Sequence, residues 1–220
     1  IKLFEHREKR IHPGKDDKIL TSWNGLMIAA LSKAARALDK PQYADAAAKS
    51  ADFILRELRR EDGRLLARYR DGEAAFLAYV DDYAFLVWGL IELYETTFEL
   101  RFLREAVQLN AEMLRLFGDE KKGGLFFYGS DAEQLLTRPK EIYDGAMPSG
   151  NGAAALNLLR LSRLTYDAKL SQAADEQLQA FAGAVSQYPP GHALTLAALD
   201  FAYGEASEIV IAGDPAKPET

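Results

Sequence analysis

The sequence places two adjacent aspartates and a tyrosine, Asp81-Asp82-Tyr83, directly before an almost unbroken apolar run. A carboxylate can serve as a general acid or base when its surroundings move its pKa toward neutrality. An aspartate at a helix start can equally be a cap, because its oxygens accept the unpaired backbone N–H groups there. The pattern predicts that Asp81 caps a helix and that Asp82, in the first turn, is the candidate for chemistry.

Comparable polar groups precede three other apolar segments, and each group contains residue types that suit acid–base work or sugar binding. Each residue also has a structural interpretation, as a helix cap, a core residue or part of a solvated turn. The candidates for catalysis are Asp82, Asp144 and His192, and those for substrate binding are Asp17, Trp23, Asn24, Tyr83, Tyr143, Ser149 and Asn151.

The helices that would position these residues alternate between two kinds. Residues 23–38, 82–94 and 150–164 are apolar nearly all round, which is typical of helices buried on all sides. Each is followed by a helix with one apolar stripe, which is typical of an outer helix. An offset of 59 maps Tyr43 onto Phe102, and a further offset of 68 maps Phe102 onto Leu170, so the pattern repeats. A fourth inner helix is predicted at 192–203.

Two connections between repeats carry turn signals. Asp71-Gly72 lies between two short apolar segments and predicts a β-hairpin. Residues 123–136 contain Phe126, Phe127 and Tyr128, a Gly-Ser-Asp turn and a predicted return strand near Leu135. Both hairpins should project from the end where the inner helices start.

This alternation predicts an all-α fold, part of an (α/α)6 toroid of inner and outer helical hairpins. Residues 1–204 would supply about three and a half hairpins, and residues 205–220 a tail with one short strand at 207–213. The polar helix starts would then converge on one face of the toroid. Because helix N-termini carry a partial positive charge and free N–H groups, this face suits hydroxyl-rich or anionic ligands.

Composition excludes several other functions. The chain has no cysteine, and its three histidines are far apart, so the sequence indicates no metal site and no cofactor. The 27 basic and 33 acidic residues argue against nucleic-acid binding. The longest purely apolar run is far shorter than the roughly 20 residues of a membrane span. We expect a cytoplasmic piece of a longer polypeptide, since the first residue is Ile.

Three segments carry a resemblance to a known family. Residues 12–31 (HPGKDDKILTSWNGLMIAAL), 80–98 (VDDYAFLVWGLIELYETTF) and 138–161 (RPKEIYDGAMPSGNGAAALNLLRL) resemble the large thioredoxin-domain proteins similar to spermatogenesis-associated protein 20. The resemblance implies a thioredoxin-like domain followed by a toroid of the six-hairpin glycosidase type, similar to N-acylglucosamine 2-epimerases. It implies that this chain is the later part of that toroid, with the thioredoxin-like domain as its partner.

Two functions follow as expectations, and the sequence leaves open whether the chain is an enzyme. The first is a carbohydrate-active or carbohydrate-binding toroid, with Asp82 and Asp144 as the acid/base pair of a glycosidase or His192 as the base of an epimerase. Epimerases of this fold use histidines, and only His192 lies near the predicted face. The alternative is a non-catalytic interaction domain that presents a partner to the thioredoxin-like domain through Phe126, Phe127 and Tyr128.

Overall fold

The computed structural model describes residues 1–133 and 135–205. A short exposed helix, α1 (Lys2–Arg7), precedes the body of the fold. The inner helices are α2 (Thr21–Leu38), α4 (Val80–Thr97), α6 (Gly150–Thr165) and α8 (Ala193–Tyr203), the last preceded by a 3-10 turn at Pro189–His192. The outer helices are α3 (Pro41–Glu57), α5 (Leu100–Phe117) and α7 (Ala168–Gln187).

Burial confirms that α4 and α6 are enclosed inner helices, whereas α2 leaves Trp23 and Met27 exposed on one side. Helix α4 packs between α2 and α6 and against α5, and Tyr83, Phe85 and Leu90 on its different sides are all fully buried. Helix α5 instead buries one stripe, including Phe102 and Met113, and turns its charged residues outward. The core therefore lies between the two rings of helices, as expected for an α/α toroid.

A three-stranded antiparallel sheet lies at the N-terminal end of the inner helices. It consists of β1 (Ile19–Leu20), β2 (Leu66–Arg70) and β3 (Glu73–Leu77), in the order β1-β2-β3. Asp71 and Gly72, with φ of 54° and 81°, form the two-residue turn that the sequence predicted. Strand β1 runs directly into α2, where the Thr21 hydroxyl donates to the Leu66 carbonyl oxygen at 2.6 Å.

The second predicted hairpin is wrong, because no strand forms among the described residues between α5 and α6. Among the described residues of this stretch, β pairing consists of one isolated bridge between Gly118 and Leu125. The Phe127 ring stacks on Tyr79 at 5.0 Å, and the Phe127 N–H donates to the Pro139 carbonyl oxygen. Phe127 and Tyr128 thus pack on Tyr79 at the start of α4, whereas Phe126 lies beside Arg138 and Lys140.

Two further expectations concern the chain as a whole. The short strand predicted at 207–213 lies outside the described residues. Within the part of the chain that the structure describes, no helix combines the length and apolar character needed to cross a membrane.

Helices α2 and α4 approach so closely that their backbones touch at two glycines. A Cβ atom on Gly25 would lie 2.5 Å from the Phe85 carbonyl carbon and 2.6 Å from the Leu86 nitrogen. A Cβ atom on Gly89 would lie 2.7 Å from the Gly25 carbonyl oxygen. Because backbone atoms cannot move aside as a side-chain tip can, both positions require glycine.

We predict that Gly25→Ala lowers the free energy of unfolding by about 3 kcal/mol, because it forces α2 away from α4. The control is Gly183→Ala in α7, where no atom lies within 4 Å of the added methyl group. That change should raise the free energy of unfolding by about 0.5–1 kcal/mol, since alanine favours the helix. Urea denaturation followed by circular dichroism measures both, and equal effects would contradict the close-contact explanation.

Candidate functional site

Asp82 fastens the starts of two inner helices together. Its side chain is nearly inaccessible, at 4% exposure. Oδ1 accepts a hydrogen bond from the Ser22 backbone N–H at 2.9 Å, and Oδ2 accepts one from the Tyr79 N–H at 2.8 Å. The first bond satisfies a free N–H of α2, and the second a free N–H at the start of α4.

The prediction that Asp81 is the N-cap of α4 is wrong. The cap residue is Tyr79, the helix begins at Val80, and Asp81 is its second residue. The physical reason is that Asp82 reaches back to the Tyr79 N–H, which fixes the helix start two residues earlier. Asp81 is therefore free to point at the next inner helix.

Asp81 is half-buried beside the start of α6. A Cβ atom on Gly150 would overlap its Oδ1, so the glycine lets the carboxylate approach the α6 backbone. Burial, followed by the neighbouring charges of Asp82 and Glu141, raises the pKa of Asp81 to about 6, against the opposing effect of the Gly150 N–H. A carboxyl group in this range can donate or accept a proton near neutral pH.

Burial also raises the pKa of Asp82 to about 6, although the N–H groups of Tyr79 and Ser22 and the charge of Arg64 act against the rise. The two adjacent carboxyl groups thus both have raised pKa values, but their accessibility differs. Asp82 is enclosed by its two backbone partners, whereas Asp81 is only half-buried.

Asp144 makes the corresponding connection between α6 and α8. Its Oδ1 accepts from the Ser149 N–H at 2.8 Å, and its Oδ2 accepts from the Leu194 N–H at 2.7 Å. Its own N–H donates to the Gly191 carbonyl oxygen at 2.8 Å. The carboxylates of Asp82, Asp81 and Asp144 therefore link α2 to α4, α4 to α6 and α6 to α8 in turn, and we call this end of the inner ring the mouth.

His192 lies at the mouth, just before α8. Its side chain is largely enclosed, since the residue is 5% exposed. Its Nδ1 lies 2.9 Å from the Ile142 carbonyl oxygen, which can only accept, so Nδ1 carries the proton. In the neutral imidazole the Nε2 atom then holds a lone pair, as a general base requires. The Tyr143 ring meets the imidazole edge-on at 6.3 Å.

Two predicted binding residues present aromatic surface to solvent. Trp23, in the first turn of α2, is 60% exposed, and Tyr143 is 61% exposed. Asp17 is also exposed and pairs with Arg70 of β2 at 3.0 Å. Asn24 is turned sideways, because its side chain donates to the Leu20 carbonyl oxygen and accepts from the Ser50 hydroxyl of α3.

The structure places three other candidates in structural roles. Tyr83 is fully buried, and its hydroxyl accepts from the Leu65 N–H at 3.0 Å. Asn151 is enclosed and bonds both the N–H and the carbonyl oxygen of Leu125. Ser149 is the N-cap of α6, accepting from the Gly152 N–H at 3.1 Å. These side chains are occupied within the fold and do not line an open surface.

Sequence reasoning missed a charged cluster about three helical turns from the mouth. Glu92 of α4 is buried and accepts from Arg36 at 2.6 Å and from Arg160 at 2.8 Å, with the Lys33 ammonium at 3.2 Å. Burial tends to raise the pKa of Glu92, but Arg160, Arg36 and Lys33 together lower it. The repeat could have revealed this cluster, since the same offsets of 59 and 68 map Lys33 onto Glu92 and Glu92 onto Arg160.

With the geometry in hand, the chain can be compared with known proteins. No protein-family model matches it. Spermatogenesis-associated protein 20 of Rattus norvegicus is 33% identical over 231 residues, which cover 100% of this chain and 29% of the relative. An uncharacterized protein of Caenorhabditis elegans is 35% identical over 168 residues, covering 72% of this chain and 22% of that protein. The chain is a relative of spermatogenesis-associated protein 20. It spans less than a third of the length of these relatives.

Solved structures share the fold at low identity. The GH76 α-mannanase of Bacteroides thetaiotaomicron matches with a TM-score of 0.68 at 16% identity, covering 87% of this chain and 55% of that one. Cellobiose 2-epimerase of Bacillus thermoamylovorans matches with a TM-score of 0.64 at 18% identity, covering 77% and 46%. An α-1,6-mannanase of Salegentibacter sp. matches with a TM-score of 0.61 at 12% identity, covering 82% and 50%. That mannanase was solved with a bound mannotetraose, as a variant inactive through replacement of two consecutive aspartates by alanine. The chain therefore has the helical toroid fold of the six-hairpin glycosidases.

We predict that Asp81→Asn changes the pH dependence of stability. The pKa of Asp81 is higher in the folded protein than in the unfolded chain, so binding a proton at Asp81 favours folding. This contribution to stability is complete below the unfolded pKa of about 4 and is lost as the pH rises through about 6. Asparagine does not titrate. Between pH 4 and pH 7.5, the free energy of unfolding of the variant should therefore rise by about 2–3 kcal/mol relative to that of wild type.

The measurement is urea denaturation at both pH values, with Asp45→Asn on the exposed side of α3 as the charge-matched control. If the free energies of unfolding of wild type and Asp81→Asn differ by the same amount at both pH values, the shifted titration of Asp81 is refuted.

We also predict that Glu92→Gln lowers the free energy of unfolding by about 3–5 kcal/mol, because it leaves the Arg160 and Arg36 guanidinium groups without their buried partner. Glu95→Gln is the matched control, since Glu95 contacts the same arginines from a more exposed position. It should lower stability by no more than about 1 kcal/mol. Chemical denaturation at pH 7.5 measures both, and a smaller effect of Glu92→Gln would contradict the assigned role.

Proposed function

We propose that this domain binds a sugar at the mouth and acts on it by acid–base chemistry, with Asp81 as the general acid. The single observation that carries this proposal is the half-buried Asp81 carboxyl group at the mouth, with its pKa raised to about 6. A carboxyl group with a pKa of about 6 is protonated in a fraction of the molecules near neutral pH, and that form can protonate the leaving oxygen of a glycosidic bond. The sugar enzymes that share this fold support the same chemistry.

Asp82 and Asp144 support this reaction by position. Asp82 raises the pKa of Asp81 through its adjacent charge and holds the start of α4. Asp144 holds the starts of α6 and α8, and so sets where His192 lies. The inactive Salegentibacter mannanase, in which two consecutive aspartates were replaced, shows that such a pair matters in a protein of this fold. Trp23 and Tyr143 provide exposed rings on which a sugar can stack.

Epimerisation is the second candidate, and the orientation of His192 favours it. Proton abstraction beside a carbonyl group needs a base with an available lone pair, and the Nδ1 contact with Ile142 leaves Nε2 in that state. His192 also touches Tyr143, the exposed ring proposed to hold the sugar. Hydrolysis and epimerisation therefore use different residues of the same mouth.

The test is to incubate the chain with cellobiose and with α-1,6-mannotetraose in D2O and to follow the sugars by NMR. Hydrolysis would release shorter sugars, and Asp81→Asn should reduce its rate by at least about 100-fold, as expected for loss of a general acid. Epimerisation would place deuterium on the carbon beside the carbonyl, and His192→Gln should abolish it while Asp81→Asn has a smaller effect.

The Asp45→Asn control should leave either reaction unchanged. If neither sugar binds or reacts, the proposal fails. If both reactions survive Asp81→Asn and His192→Gln, the sugar is processed elsewhere and the assigned residues are wrong.

A further inference from the structure

Phe76 adopts a backbone conformation that has no local explanation. The described residues contain five non-glycine positions with positive φ. Three of them, Asp39, Phe98 and Tyr166, are C-caps that end helices α2, α4 and α6, and Asp71 belongs to the hairpin turn. Phe76 has a φ of 63° inside strand β3. For a bulky side chain this region is strained, and such strain clusters at binding and catalytic sites.

The conformation does not come from a β-bulge. The pairs on either side of Phe76 are Arg68 with Ala75 and Leu66 with Leu77, and both fit one register without an inserted residue. Strand alternation would place residue 76 on the same face as Ala74. Ala74 pairs with Tyr69, which packs edge-on against Phe53 of α3, so that face belongs to the core.

The strain turns the Phe76 ring out of the core. The residue is 63% exposed, and the Arg68 guanidinium carbon lies 5.1 Å from the ring centroid. The backbone of Phe76 is therefore strained, and its aromatic ring is exposed where strand alternation would bury it. Both changes disfavour folding, and among the described residues Arg68 supplies the one contact of the exposed ring, so a role in binding is the explanation to test.

The position of Phe76 relates this contact to the mouth. Phe76 precedes Asp81 by five residues, so their Cα atoms lie at most about 18 Å apart. Strand β2, which carries Arg68, pairs with β1 directly before Trp23 and the start of α2. An extended ligand seated at the mouth can therefore reach the hairpin.

We propose that Phe76 and Arg68 form an outer sugar subsite on the β2–β3 hairpin, which makes the ligand an oligosaccharide and not a free monosaccharide. A sugar ring has an apolar face that stacks on an aromatic ring, and its hydroxyl groups accept hydrogen bonds from a guanidinium. The proposal rests on the proposed function, because it extends the same mouth. It differs in assigning a binding role to the β2–β3 hairpin.

The experiment measures the affinity of the chain for cellotetraose and cellobiose, and for α-1,6-mannotetraose and its disaccharide, by calorimetry. We expect the preferred tetrasaccharide to bind more tightly than the matching disaccharide. Phe76→Gly should weaken tetrasaccharide binding by about tenfold and leave disaccharide binding unchanged, since only the outer contact is lost. Its melting temperature should be equal to or above that of wild type, because glycine adopts this φ without strain.

Two further variants keep the test decisive. Phe98→Gly removes an exposed phenylalanine of the same φ class at the far end of α4, so it should preserve stability and leave sugar affinity unchanged. Arg68→Gln retains the Phe76 backbone and should still weaken the tetrasaccharide selectively.

The remaining outcomes overturn the proposal. If Phe76→Gly weakens both sugars equally, Phe76 shapes the mouth and forms no outer subsite. If it changes neither, the exposed ring contacts something other than sugar, and the proposed function stands without the subsite. If the wild-type chain binds none of the four sugars, the proposed function fails and the subsite fails with it.

Discussion

The unpaired backbone N–H groups at the inner-helix starts are the constraint on which this structure depends. Four helices begin at the same end of the inner ring, each with free donors and a partial positive charge. Because these ends lie close together and partly out of water, the fold must supply acceptors of opposite charge. It does so with aspartates that each serve two helices, as Asp82 does for α2 and α4 and Asp144 for α6 and α8.

This structural solution also creates the chemistry of the mouth. Burial disfavours the charged forms of Asp81 and Asp82, and the neighbouring charge of Asp82 further disfavours ionisation of Asp81. Asp81 and Asp82 consequently hold their protons at a higher pH than free aspartate does. Glu92, three turns away on the same helix, experiences the opposite effect because it is surrounded by cations. The surroundings, and not the residue type, decide which carboxyl group can act as an acid.

The sequence was most informative where a single periodicity determined the outcome. Apolar residues on all sides separated the inner helices from the striped outer ones, although α2 exposes Trp23 and Met27. Asp71-Gly72 identified the first hairpin by its turn chemistry alone. It was least informative where the outcome depends on distant residues. The cap of α4 is set by a carboxylate that also bonds Ser22, and the backbone of Phe76 has no sequence signature.

Tyr83 and Asn151 share a repeat position with Asn24, but that position faces neighbouring elements and not the mouth. The Lys33–Glu92–Arg160 cluster could have been predicted, because the repeat offsets place these three residues at equivalent positions of neighbouring inner helices.

The touching glycines of α2 and α4 bear on the history of the repeat. Between α4 and α6 the corresponding contact is different, since the Asn157 side chain donates to the Ala84 carbonyl oxygen at 2.8 Å. Neighbouring hairpins are therefore joined by unlike surfaces, one requiring the absence of a side chain and the other requiring an amide. If the hairpins descend from one ancestral hairpin, the contacts between neighbouring inner helices have since become different from one another. The α2–α4 and α4–α6 contacts are therefore not interchangeable, and exchanging these hairpins would set unmatched surfaces against each other.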